Sequence, residues 1–143
     1  MEGMYLIARI ADQPVALPAA SVGSVIEIDA IVPVPRVEAH VAGLFALRSR
    51  ILTVIDSRVV LGLTPIERGP HMAAVVVTVD DHGYALLVDA VEDVVEASRP
   101  APCPAILEGY WRAFAAGVVR RGEDAVLLLD LPAMIAGRLP QAA

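Results

Sequence analysis

Two parts of this 143-residue chain repeat each other, and a chain that repeats must build one small unit twice. Val22-Gly23-Ser24-Val25-Ile26-Glu27 returns 69 residues later as Val91-Glu92-Asp93-Val94-Val95-Glu96. Val54-Ile55-Asp56 followed by Val59-Val60-Leu61-Gly62 returns about 74 residues later as Leu128-Leu129-Asp130 followed by Ala133-Met134-Ile135-Ala136-Gly137. A copy this short buries too little surface to be stable alone, so the two should share a core. A small set of strands removes its edges best by closing on itself, which points to two small barrels.

The pattern between the repeats is β-rich. Tyr5 to Ile10 and Val15 to Leu17 read as strands about a turn at Asp12-Gln13-Pro14. Val22 to Ile28 follows as an extended or partly helical segment, and Val32-Pro33-Val34-Pro35-Arg36 as a connector, since proline withholds a ladder donor. Leu44 to Leu47 and Ile51 to Ile55 flank a tight turn at Arg48-Ser49-Arg50, and Ser57 to Leu61 forms a turn or two of helix. Ala73 to Val79, Tyr84 to Val88 and Val91 to Ala97 make the next strands. The turn Asp80-Asp81-His82-Gly83 tolerates the positive φ of a tight hairpin. Pro100, Pro102 and Pro104 mark a second connector, Phe114 to Val119 and Ala125 to Leu129 a further hairpin, and Leu131 to Leu139 a C-terminal helix with Pro132 near its start.

Composition excludes several classes. At 57% hydrophobic residues the chain has ample apolar side chain to offset chain entropy, so it is not disordered. Its formal charge is −6 and its arginines are scattered, so the dense basic face of a nucleic-acid binder is missing. The single cysteine, Cys103, forbids an internal disulfide. The start, Met1-Glu2-Gly3-Met4-Tyr5-Leu6, is not a signal peptide. The low-charge stretch from Gln13 to Ile26 is too short and too broken by proline to cross a bilayer. A cytoplasmic location without membrane insertion is expected.

Catalytic constellations are missing too. Asp80, Asp81 and His82, with Asp89, Glu92 and Asp93 nearby, suit a solvated hairpin tip better than a metal or acid–base site. His40 and His71 lack metal-ligand spacing, and Cys103, between Pro102 and Pro104, reads as an ordinary thiol. The chain contains no lysine, which removes Schiff-base chemistry and a phosphate-loop lysine. No catalytic residue, metal site or enzyme activity is expected.

The most informative stretch is Gly43 to Gly62, in which two strands meet at a turn carrying Arg48 and the second ends in Asp56 before a short helix. Here the chain resembles the CheW-like family of chemotaxis coupling proteins, whose pattern is Gly-Val-x-Asn-Leu-Arg-Gly, an apolar strand, Asp-Leu-Arg and an apolar-Gly close. The resemblance runs through Val25-Ile26-Glu27-Ile28, Val32-Pro33, Leu87-Val88-Asp89-Ala90-Val91 and Leu127-Leu128-Leu129-Asp130, covering essentially the whole chain.

It implies an all-β fold of two packed five-stranded SH3-like barrels with a short C-terminal helix, in one domain over residues 1–143. The first barrel would take roughly residues 1–70 and the second 71–143, with exchange of strands between them left open. It implies a non-catalytic adaptor, free of cofactors, that bridges chemoreceptor cytoplasmic tips and the regulatory domain of a histidine kinase. Carried over residue by residue, it singles out Glu27 and Arg48 as a polar pair beside a receptor groove between the barrels, with Gly43 just before it. An apolar groove would suit a receptor helical hairpin; Val25, Ile26, Leu44, Val94 and Val95 are its candidates. Ala46, Ser49, Thr53 and Ser57 depart from the family pattern, where Asn, Gly, Pro and Leu are usual, so the Arg48 turn is where partner choice should differ. A variant serving a divergent, non-flagellar sensory array fits the same residues. A small apolar-ligand-binding barrel is a competing reading, which side-chain filling of such small barrels opposes.

Overall fold

The structure, a computed structural model, describes residues 3–98 and 100–137. In chain order its elements are β1 (Gly3–Ile10), β2 (Gln13–Pro18), a single 3-10 turn (Ala19–Ser21), β3 (Val22–Ile28), β4 (Val41–Leu47), β5 (Arg50–Asp56), α1 (Ser57–Val60), β6 (Met72–Val79), β7 (His82–Val88), β8 (Ala90–Ala97), α2 (Gly109–Ala113), β9 (Ala115–Arg121), β10 (Asp124–Leu129) and α3 (Leu131–Ala136). The end of the expected C-terminal helix, Arg138 and Leu139, lies outside the described residues. Helix α2 in the second connector was not legible, for it is five residues long and no side chain caps its start.

The strands form two five-stranded sheets, in the orders β8-β1-β2-β10-β9 and β3-β6-β7-β5-β4. Each sheet takes a hairpin from one copy and three strands from the other. Hairpin β1–β2 joins β8, β9 and β10, and hairpin β6–β7 joins β3, β4 and β5. Residue 70 therefore does not divide the two sheets. The exchange keeps the repeat's register: Leu127 pairs with Val15 in the parallel β10–β2 ladder as Thr53 pairs with Tyr84 in β5–β7. Likewise Val94 faces Leu6 across β8–β1 as Val25 faces Val75 across β3–β6.

Neither sheet closes by a ladder, so the barrels are open at one seam. Connector residues bridge each seam: Val32 exchanges backbone hydrogen bonds with Leu44 at 2.9 and 2.8 Å, and Ala101 does so with Val118 at 2.8 Å both ways, with Ser98 bonded to Arg120 beside it. This explains Gly43 and Gly117. A Cβ on Gly43 would collide with the Val32 carbonyl, and one on Gly117 would sit 2.6 Å from the Ala101 oxygen. Gly43 also has φ +146, which side chains rarely adopt.

Strand alternation sorts the apolar residues into three cores. Leu52, Val54, Ala74, Val76 and Leu87 fill the inside of one sheet, and Tyr5, Ile7, Val119, Val126 and Leu128 the inside of the other. The alternate positions, among them Leu6, Ala8, Ile10, Val75, Val77 and Leu86, meet between the sheets, joined there by Val60 and Leu61 after β5 and by Leu131 and Met134 of α3. This shared core makes the two halves one body, as the marginal size of either requires.

Helices α1 and α3 each start from an aspartate at the end of a hairpin, Asp56 as the last residue of β5 and Asp130 just after β10. The Asp56 amide donates to the His40 carbonyl and the Asp130 amide to the Phe114 carbonyl, each at 2.9 Å. Asp130 caps α3 by accepting from Ala133 N at 3.1 Å. Asp56 is fully buried and accepts from Arg58 N, Val59 N, Ile66 N and Arg68 Nη1 at 3.0 to 3.4 Å, which also ties down the loop toward β6. A buried carboxylate held by this many donors is stable where a bare one would not be.

Candidate functional site

Side chains on one face of an antiparallel pair point the same way, so the partner of an exposed residue tells which surface it extends. Val25 stands opposite Val75, and Val94 opposite Leu6; both partners belong to the core between the sheets. Val25 and Val94 thus carry that core's apolar layer out to solvent, at 47% and 52% exposed. They occupy equivalent positions on the edge strands β3 and β8. Strand β8 also packs across the interface against β6, the neighbour of β3, so both valines lie on edge strands that border the packing of one sheet on the other.

Met4 belongs to the same rim. It shares the alternation of Leu6, Ala8 and Ile10 on β1 and is 50% exposed. The signal was present in the spacing, two residues before Leu6, but a residue so near the chain start reads as an end.

The other expected site residues divide. Ile26 and Val95 turn inward and pack against the two inner cores. Leu44 is half-buried on β4, opposite Thr53, and Gly43 is the buried passage for the connector. Glu27 lies on the rim face beyond Val25, opposite Ala73 on β6. The expected Glu27–Arg48 pair does not form. Glu27 instead hydrogen-bonds His71 Nδ1, contributed by the loop that Asp56 and Arg68 hold in place. Forty-four residues separate Glu27 and His71, so no local pattern announces them.

Arg48 sits in the two-residue turn between β4 and β5, exposed and with no hydrogen bond or ion pair among the described residues. Its φ is 58°, left-handed for a residue with a side chain. Ser49, where the family has glycine, is not among the residues with positive φ, so the strained position of the turn is Arg48 itself. Gly122 holds the equivalent place in the β9–β10 turn, with φ 60°. Holding an arginine there costs about 1–2 kcal/mol relative to an ordinary conformation. Beside it, at the open seam between β3 and β4, is a cleft of about 630 Å³ lined by Val25, Ile26, Arg48, Arg50, Ser24 and Val76. The structure thus brings Val25, Ile26 and Arg48 together and leaves Glu27 apart.

No group of three or more metal-binding side chains lies together among the described residues, and no helix there is long and apolar enough to cross a membrane. The inside of each sheet is packed with its own apolar side chains.

Fold and rim together define a class: a duplicated two-sheet β protein, built by exchange of hairpins, with exposed apolar residues on the edge strands of both sheets. A family model described as the CheW-like domain matches residues 4–138, and the chain belongs to that family. Its role is that of a coupling adaptor in a chemotaxis signalling complex. The chain is 29% identical over 144 residues to the chemotaxis protein CheW of Rhizobium meliloti, covering 99% of this chain and 93% of that one. It is 27% identical over 117 residues to the chemotaxis protein CheW of Treponema pallidum, covering 77% and 68%. Among solved structures, the scaffolding protein TtCheW from Thermoanaerobacter tengcongensis superposes with a TM-score of 0.80 over 90% of this chain and 89% of its own, at 21% identity. That likeness speaks for the fold.

Proposed function

We propose that this chain joins a receptor's cytoplasmic helical hairpin to the regulatory domain of a histidine kinase, and that the receptor enters the opening flanked by Val25 and Val94. The observation that carries the reading is the placement of these two valines, equivalent in the repeat and exposed on faces that are otherwise core. An apolar helix face set against such a rim buries side chains that a free adaptor leaves in water, at roughly 25 cal/mol per Å². Arg48 supplies the polar contact at the end of the cleft, and its free guanidinium can take a carboxylate in two-pronged fashion. Glu27, paired with His71, borders the rim.

The chain does this work in the cytoplasm, as one domain, without catalysis or a cofactor. Family membership supports the kinase as the second partner. The test is co-sedimentation with receptor-bearing membranes, alongside capture of the kinase. Val25→Asp and Val94→Asp should each abolish sedimentation with receptor, keep the wild-type circular dichroism spectrum and still capture kinase. Unchanged sedimentation in both variants would remove the opening from the receptor site.

A further inference from the structure

The chain passes from one sheet to the other at Asp89, the single residue between β7 and β8. Its carboxylate is reached from both sides. Oδ2 accepts from the Ala11 amide, in the β1–β2 turn of one sheet, at 2.6 Å. The same oxygen accepts from Arg58 Nη1, on α1 of the other sheet, at 3.2 Å. The Asp89 amide donates to the Arg9 carbonyl at 2.9 Å, and Arg58 is fixed in turn by its Nε donating to the Thr64 carbonyl at 2.6 Å. Ala11 and Asp12 both have positive φ, at 53° and 65°, so this turn presents a strained amide to the carboxylate. The other passage between the sheets runs through the 3-10 turn, where Ala20 stands 69 residues before Asp89 and offers only a methyl group. One passage is latched and its twin is not.

We propose that Asp89 is a positioning residue: by holding the Ala11 turn and Arg58 on one carboxylate it sets the placement of the two sheets, and hence the width of the opening between Val25 and Val94. Arg58 is 23% and Asp89 35% exposed, so their Coulomb attraction is partly screened, and the geometry of the hydrogen bonds carries the effect. That the width matters for receptor binding rests on the function proposed above; that Asp89 sets the width does not.

The experiment separates the two. Spin labels on Asp81→Cys and Glu123→Cys, at hairpin tips of different sheets and in a Cys103→Ser background, report the inter-sheet distance by pulsed electron resonance. Asp89→Ala should broaden the distance distribution, Arg58→Gln should broaden it less, and the double variant should match Asp89→Ala alone. Asp89→Asn, which keeps an acceptor for Ala11, should fall between and serves if Asp89→Ala does not fold. Unlabelled Asp89→Ala should bind receptor membranes about fivefold more weakly or worse. An unchanged distribution in the Asp89 variants would overturn the latch. So would disappearance of the broadening in an Ala11→Gly background, since the carboxylate would then serve only its local turn. A broadened distribution with unchanged receptor binding would support the latch and count against the opening as the receptor site.

Discussion

Residues 74 apart in the two copies stand at the same places in the fold, yet they do not all agree. Asp56 and Asp130 both follow the second strand's last apolar residue and cap a helix, and Gly43 and Gly117 both let a connector carbonyl pass. By contrast Ser57 stands where the second copy has Leu131, and Arg48 where it has Gly122. The agreements are imposed by the backbone, which needs the same acceptor and the same absent Cβ in both copies. The disagreements both fall in the first copy and both burden the fold. The Ser57 hydroxyl is buried without a hydrogen-bond partner among the described residues, whereas Leu131 fills the shared core. Arg48 is held left-handed where glycine would sit freely. For Arg48 the receptor contact proposed above would supply a use outside the fold; nothing in the structure explains Ser57.

Five substitutions can break or sharpen this comparison. The largest effect should come from Asp56→Ala, which strips four donors of a buried acceptor and should cost about 3–5 kcal/mol in urea unfolding. Its twin Asp130→Ala removes a single cap and should cost about 1 kcal/mol. Equal losses would mean that the loop anchored by Asp56 adds nothing. Next, Gly43→Ala should lower stability by about 3 kcal/mol, from strain plus collision with the Val32 carbonyl. Gly117→Ala should lose somewhat less, because its φ is not in the left-handed region. If Gly43→Ala melts like wild type, the seam is not held shut by the connector. Smallest of these, Ser57→Ala should raise stability by about 1 kcal/mol by removing an unsatisfied hydroxyl. A loss instead would show that the hydroxyl has a partner worth keeping.

Most strands were legible from β-branched runs broken by turn residues, and the duplication from the Val22 and Val54 blocks. The hairpin exchange was not. Which strands pair is decided by long-range packing, and the valine-rich runs of both copies are equally good partners for either sheet. Val25 and Val94 were legible as candidates through their repeat. That Ile26 and Val95 face inward follows only once register sets the alternation, since a one-residue slip would exchange the faces. The Glu27–Arg48 pairing failed for a related reason. Arg48 sits at a hairpin tip, and the loop fixed by Asp56 delivers His71 to Glu27 instead.

The central claim, that Arg48 is kept in a strained turn for a partner's sake, is tested most directly by Arg48→Gly measured twice on one preparation. Thermal or urea unfolding should show a gain of about 0.5 kcal/mol, the relief of left-handed strain less the extra chain entropy of glycine. Co-sedimentation with receptor-bearing membranes should fall sharply while kinase capture is kept. A variant that gains stability and still binds receptor like wild type would contradict the claim.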